Sequence, residues 1–431
     1  MQNRVMLFFS RLRRALWLKP VTYCVAAGAA VLLARAADAV EAPEWLPDIA
    51  EGTLSELMGI LSMTMLSVAT FAVGAMVGAF ASAGDNATPR AFDLIVSDNL
   101  SKTALSSFIG AFIFSVVGII ALETEIYDQT GRFVLFLFTL GVIGWVILTF
   151  VRWIDDIARL GRMQTTVDRA EDAARECLEN RRKHRFLGGR DAETAPPLPG
   201  AELHADEIGY VQVVEMAKLQ QVAEEADLLV VVESQPGSFV TPNRPLARLV
   251  GGAVLSKEQV KALRDAFGIG DHRTFATDPR YGLIVLSEIG QRALSTGVND
   301  PGTAIVIIGR LVRLLALWLA PGAEPEAQEP EFDRVFVPGL QLNDLFDDAF
   351  TGLARDGAAN AQFGLRLQKA YASLAALGDA EAKLQAKRHA RHALRHAEAA
   401  IAVEEDLEPL RAVAESFGVE ETAGPQAVPQ P

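Results

Sequence analysis

The chain has 431 residues, half of them hydrophobic, and its 40 Lys and Arg against 54 Asp and Glu give a formal net charge of -14. That balance argues against a nucleic-acid partner, which would require a basic face. Only two cysteines are present, Cys24 in an apolar run and Cys177 in a polar one, so neither a disulfide framework nor a Cys-based metal site is expected.

Four apolar stretches occupy residues 18–37, 57–83, 104–122 and 133–151. Each approaches the ~20 residues that cross a ~30 Å hydrocarbon core. Arg4, Arg11, Arg13, Arg14 and Lys19 precede the first stretch, and the loop after it holds Asp38, Glu41, Glu44, Asp48 and Glu51 with no Lys or Arg. Arg90 and Lys102 follow the second. Glu123, Glu125 and Asp128 follow the third, with Arg132 at the edge of the fourth; Arg152, Arg159, Arg162, Arg169 and a basic run at 181–185 come next. The positive-inside rule then places both termini in the cytoplasm of a bacterial inner membrane. An alternative for the first stretch is a signal peptide, since an Arg-rich start, an apolar run and small residues at 36–39 share that pattern. Trp17, Trp45 and Trp153 fall at expected interfaces, where an indole suits the boundary between apolar and wet layers.

No charged residue lies in the centre of the second, third or fourth stretch, and no GxxxxGK[ST] loop occurs. Ion-coupled transport usually needs a titratable group at mid-membrane, and ATP-driven transport a phosphate cradle, so pumping is disfavoured. The second stretch instead carries Ser67, Thr70, Gly74, Gly78 and Ser82, and the third carries Gly110 among Ser106, Ser107 and Ser115. Small residues let backbones approach closely. The plain reading is packing of the second stretch on the third, a second is a pore-lining face in a homo-oligomer, and a third is a groove for lipid or a small solute. In the loop between them, Thr88-Pro89 is an N-cap and first-turn pair for a short helix.

Beyond residue 155 the spacing predicts a charged helical stalk over 156–186, a Gly- and Pro-rich linker over 187–200, and a cytosolic α/β (α+β) domain over 201–320. A Pro- and Glu-rich linker over 321–331, a helical C-terminal region over 332–416 and a disordered tail over 417–431 complete the chain. Within the α/β domain, strands are expected at 210–214, 228–232, 238–241 and 246–250, and helices at 216–225 and 256–267. The phrase from Pro236 to Arg248 loosely resembles the hammerhead loops of biotinyl- and lipoyl-type barrels. Its expected lysine is absent, so no swinging-arm cofactor follows, and no cofactor or metal is expected elsewhere.

Two further helices start at Asp278-Pro279 and Asp300-Pro301. Asp278, Arg280, Asn299, Asp300 and Thr303 form a candidate anion or partner site, because helix N-termini expose N–H groups; structural capping is the competing reading. The apolar run 304–320 contains Arg310 and Arg313 and reads as a core or membrane-surface helix rather than a fifth span. In the C-terminal region His389, His392 and His396 recur at i, i+3 and i+7; the plain reading is a solvated basic stripe pairing with Glu398, Glu404, Glu405 and Asp406 or with anionic lipid, and the alternatives are a metal-ligating or pH-sensing face. No GxSxG, HExxH or Cys/His arrangement suggests catalysis.

The phrases Asn86-Ala-Thr-Pro-Arg90, Phe108-Ile-Gly-Ala-Phe-Ile-Phe-Ser115, Asp278-Pro-Arg-Tyr-Gly-Leu-Ile-Val-Leu-Ser-Glu288 and Ala293-Leu-Ser-Thr-Gly-Val-Asn-Asp-Pro-Gly-Thr-Ala304 resemble a bacterial family of predicted membrane proteins known as domain of unknown function 2254. The resemblance extends to about Ser416. It departs at Thr88, where the family usually has serine, and at Thr296, where it often has proline. It implies four N-terminal spans with a cytosolic C-terminal domain and supplies no catalytic residues. The expectation is therefore a non-enzymatic, homo-oligomeric membrane protein, a passive channel with a cytosolic regulatory domain. A membrane-anchored scaffold or sensor for a cytosolic partner or anionic ligand is the alternative.

Overall fold

The computed structural model describes residues 18–39, 45–86, 88–91, 99–160, 162–252, 254–320 and 329–419. The basic segment before residue 18 with Trp17, most of the acidic linker and the tail from 420 therefore lie outside the described residues. The chain divides into two compact units, Met1–Thr166 and Val167–Pro431.

The first unit is built from α1 (Leu18–Ala37), α2 (Glu51–Asn86), α3 (Asn99–Glu123) and α4 (Gln129–Leu160). Segments 51–82, 103–123 and 129–158 are long and apolar enough to cross a membrane, while the apolar part of α1, Val21–Ala37, is shorter. At ~1.5 Å per residue the 36 residues of α2 extend about 54 Å, so this helix outruns the hydrocarbon core. Its buried residues Leu54, Met58, Leu61, Met65, Ala69 and Ala72 recur at helical spacing, and they meet Phe108, Ala111 and Phe114 of α3 in two apolar clusters. Gly118 of α3 lies under Met58, whose Sδ is 2.6 Å from where a Cβ would sit.

The α1–α2 and α3–α4 connections are tied together by polar groups. The buried Asp38 carboxylate accepts from the Gly131 amide at 2.6 Å and so caps the first turn of α4. Arg132 pairs with Asp48 at 2.9 Å, and Tyr127 donates to the Val31 carbonyl at 3.0 Å. Trp45 is exposed. Trp153 is not: it is buried among Phe71, Phe108 and Phe150, because the aromatic side chains of three helices converge there. Among the described residues the Thr88-Pro89 signal begins a 3-10 turn, Pro89–Ala91, with the Thr88 hydroxyl accepting from the Arg90 amide.

The second unit differs from the expected stalk, linker and separate helical region. Span four does not run on to Lys183; α4 ends at Leu160 and α5 (Met163–Lys183) begins anew, with the weak helix former Gly161 between them in sequence. Nor is α5 a solvated stalk, since Val167, Ala170, Ala174, Cys177 and Leu178 are buried along one face. The expected 187–200 linker contributes β1 (Arg190–Asp191) and the start of β2 (Gly200–His204). Then follow β3 (Gly209–Val214), α6 (Met216–Glu225), β4 (Leu228–Val232), β5 (Phe239–Val240), β6 (Pro245–Gly251), α7 (Lys257–Arg264) and β7 (Phe267–Gly270). α7 stops short of the expected 267 because Phe267 enters a strand.

Next come α8 (Tyr281–Leu294), α9 (Pro301–Leu319) and β8 (Val335–Val337). The strands form a five-stranded sheet in the order β1-β8-β4-β6-β2 and a three-stranded one in the order β5-β3-β7. β8 lies in what the sequence suggested was a helical region; it pairs in parallel with both β4 and β1, and its Val335, Phe336 and Val337 are all buried. The chain closes with α10 (Leu342–Phe346), a π-turn (Asp347–Thr351), α11 (Gly352–Asp356), α12 (Ala361–Leu377), α13 (Ala380–Ala400) and α14 (Glu404–Ser416).

α9 also has the length and hydropathy of a membrane span. One face of it nevertheless packs into the second unit, with Ala304, Ile307, Ile308, Leu311, Leu314 and Leu315 buried. Its two arginines meet acids of α5: Arg313 forks onto Glu171 with both contacts at 2.8 Å, and Arg310 reaches Glu171 and Asp168. Burial disfavours the Glu171 carboxylate, yet the hydrogen bonds from Arg313 and Arg310 outweigh it and hold its pKa down at about 2.

Candidate functional site

The small-residue positions separate into two groups. Ser67, Thr70, Gly74, Gly78 and Ser82 are all exposed on the outer face of α2, and a Cβ at Gly74 or Gly78 would meet nothing within 4 Å. They are not the packing face for α3. The Ser67 and Thr70 hydroxyls donate to carbonyls four residues back, Met63 at 3.0 Å and Leu66 at 2.9 Å, which satisfies them without any neighbouring helix. Gly110 does pack, but on α1: a Cβ there would sit 2.6 Å from the Tyr23 Cβ. Beside it a groove of about 270 Å³ runs between α1, α3 and α4. Trp145 Nε1 donates to the Ser107 hydroxyl at 3.1 Å, and that hydroxyl donates to the Tyr23 oxygen at 3.3 Å, placing a small polar cluster on an otherwise apolar wall.

The expected anion or partner site also divides. Asn299 takes a left-handed conformation, φ 49°, and Asp300 accepts from the Thr303 amide at 3.1 Å and from the Thr303 hydroxyl at 2.5 Å. These bonds hold the Asp300 carboxyl below its ordinary pKa. The α9 N-terminus is thus occupied by its own cap, which is the structural reading of that motif.

Asp278 is 2% exposed and accepts from Arg273 Nε at 2.5 Å and from the Arg280 amide at 3.1 Å. Gly237, at φ 92°, passes so close that a Cβ would lie 2.4 Å from Asp278 Oδ2, so glycine is required there on two counts. Arg280 forks onto Asp348 at 2.6 and 3.1 Å and also pairs with Asp344. Burial opposes its charge, but Asp348 and Asp344 raise its pKa above the ordinary value; burial likewise raises the pKa of Asp348 despite the Arg280 bond. Arg280 therefore fastens the start of α8 to α10 and the π-turn, while Asp278 ties that start to Arg273. Nearby in the interior, Arg181 is 4% exposed, bonded to Gln235 and the Pro338 carbonyl with its Nε unpartnered, and burial lowers its pKa to about 10. Burial and Asp278 push the Cys177 thiol up to about 12, which makes it unreactive.

The π-turn joins the two parts of the molecule that the sequence left unconnected. Asp348 faces Arg280, whereas Asp347 faces α13, where its Oδ1 lies 3.4 Å from His389 Nε2. His389 is not on a solvated stripe: it is 4% exposed, its ring 5.5 Å from that of Phe346 and 6.3 Å from that of Tyr371. Burial lowers its pKa to about 4, and burial followed by His396 lowers that of His392. His392 and His396 touch edge to face, with centroids 4.6 Å apart. A cavity of about 380 Å³ opens between the π-turn and α13, lined by Asp347, Thr351, Arg388, His389, Arg391, His392 and Arg395. π-turns are rare and recur at functional sites. A larger cavity, about 860 Å³, is lined by Arg182, Arg185, Asp191, Glu193, Asp379 and Glu381 among others, a mixture of signs that selects no ligand charge. No group of three or more His, Cys, Asp or Glu suited to a metal occurs among the described residues.

These features stand on a chain whose residues 13–373 match the family described as "Predicted membrane protein (DUF2254)". The chain belongs to this family. Uncharacterised proteins of Mycobacterium tuberculosis and Mycobacterium bovis are each 24% identical to it over 277 residues, covering 61% of this chain and 52% of theirs. This family member thus spans about half the length of the curated relatives it matches. No solved structure matches it. Sequence reasoning had singled out Arg280 and the histidine stripe separately. It missed that the acids at 344, 347 and 348 stand between them, although Asp-rich spacing at i, i+3 and i+4 was visible.

Proposed function

We propose that this protein self-associates in the bacterial inner membrane, with both termini cytoplasmic, and that the first unit of the assembly forms a passive conduit regulated by the second. The observation that carries this reading is the face from Ser67 to Ser82: exposed, small, free of charge, and with the Ser67 and Thr70 hydroxyls already satisfied within α2. Such a face suits either close contact between copies or the wall of a narrow path. The absence of any Asp, Glu, Lys or Arg from residues 57–83, 104–122 and 133–151 favours passive flow over ion-coupled transport.

The test is purified protein in liposomes, recorded under voltage, membrane tension and pH change, alongside cysteine crosslinking of Gly74→Cys. Current together with crosslinked dimers is expected; silence under all three stimuli removes the conduit, and absence of crosslinks removes self-association through this face. A second reading, a membrane-anchored sensor for an anionic ligand, is favoured by the arginine-lined cavity at the π-turn.

A further inference from the structure

The cavity between the π-turn and α13 combines three features that no structural role requires together. First, Arg388, Arg391 and Arg395 recur at i, i+3 and i+7, so their side chains rise from one face of α13 into the same space. Arg388 is bonded to Asn343, but neither Arg391 nor Arg395 has an ion-pair partner among the described residues. Second, the acid that lines the cavity is already engaged. Asp347 accepts from Asn343 Nδ2 at 3.0 Å and from the Thr351 hydroxyl at 3.3 Å, leaving three arginines against one partly committed carboxylate. Third, His389, 4% exposed and part of the cavity lining, has no hydrogen bond to its Nε2 despite Asp347 at 3.4 Å. Buried polar atoms are ordinarily satisfied, and exceptions mark sites completed by something else.

We propose that this cavity binds a phosphoryl dianion, gripped by Arg391 and Arg395 with Arg388 and His392 beside them. The guanidinium fork matches phosphoryl oxygens in pairs, and a surplus of about two positive charges matches a dianion better than a single carboxylate. The 380 Å³ also leaves room for more than one phosphoryl group or for an organic remainder. Two sources share this chemistry: a soluble phosphate ester or diphosphate, and the headgroup of a monoester lipid. The inference rests on the sensor reading given above and deepens it by naming the ligand chemistry and its place.

The experiment titrates inorganic pyrophosphate into the full chain in detergent, and in parallel measures binding of the full chain to phosphatidic acid against phosphatidylcholine vesicles. Arg391→Gln with Arg395→Gln is the test variant. Arg366→Gln, an exposed arginine on α12 away from the cavity lining, controls for general charge loss. An unchanged melting temperature verifies that the variants fold. The double variant is expected to weaken binding about tenfold or more, and the control less than about twofold. Sensitivity in the pyrophosphate arm identifies a soluble ligand, and sensitivity only on phosphatidic acid identifies a headgroup; both support the site. Binding that survives the double variant, or falls equally with Arg366→Gln, overturns the site while the sensor reading stands. No binding in either arm overturns both.

Discussion

The two units solve the same problem, what to do with polar groups in an apolar interior, in opposite ways. In the first, buried hydroxyls turn back to their own helix, as Ser115 and Thr139 do, and the exposed Ser67 and Thr70 do the same. Ties between helices concentrate at the loops, as with Asp38 and the Gly131 amide. In the second unit, charges cross long stretches of sequence: Glu171 reaches Arg310 and Arg313, and Arg280 reaches Asp344 and Asp348. A helix satisfied within itself can face lipid, a pore or another copy without a fixed partner. Charges satisfied only by distant elements demand one arrangement, and the cost of separating them makes that arrangement rigid. The outer face of α2 is thus tied to no fixed neighbour, whereas the second unit is held to one arrangement by its crossed charges.

The largest effect expected is from Glu171→Ala, which removes the carboxylate shared by Arg310 and Arg313 although Arg310 keeps Asp168; a loss of about 3 kcal/mol is anticipated from thermal or denaturant unfolding of the second unit. A change below about 1 kcal/mol would mean that these charges are solvated after all. Second, Gly110→Val should cost about 2 kcal/mol by forcing Tyr23 off α3, whereas Gly74→Ala should be neutral or slightly stabilising. If both lower the melting temperature alike, the α2 face is packed as tightly as the interior. Third, Asp300→Ala should cost about 1 kcal/mol through its cap, with no change in pyrophosphate binding.

Near neutrality the smallest effect is a pH dependence, which grows as the solution is acidified. His389 has its folded pKa lowered to about 4 from the ordinary 6.5, so the unfolded chain takes up the proton first. Stability is therefore unaffected above about pH 7 and falls as pH drops from 6.5 towards 4, by under about 1 kcal/mol at pH 6. His389→Phe should flatten that window. Glu171 acts at lower pH: its contribution is whole above 4.5 and is lost as pH falls through about 2.

Much of the fold was legible in local pattern. The apolar runs of α2, α3 and α4, the β-branched run Leu228–Val232 and the Asp300-Pro301 helix start all carry their signals within a few residues. β8 was not legible, because three residues give too little alternation to read, and its place between β1 and β4 depends on pairing across about a hundred residues. The same limit hid the partners of Arg310 and Arg313. Their presence in an apolar run was visible as an anomaly, but their acids lie 139 and 142 residues away. The histidine stripe was read from its own helix alone, and Phe346, Asp347 and Tyr371, which enclose His389, come from other elements.

The π-turn at Asp347–Thr351 has a consequence for how the cavity arose and how it could vanish. A π-turn holds about one residue more than the α-helical turn it replaces, and each residue rotates a helix by about 100°. Removing a single residue between Phe346 and Gly352 would restore a regular helix and turn Asp347 or Thr351 away from α13, without touching any arginine. The cavity therefore depends on the length of this one segment as much as on the side chains that line it.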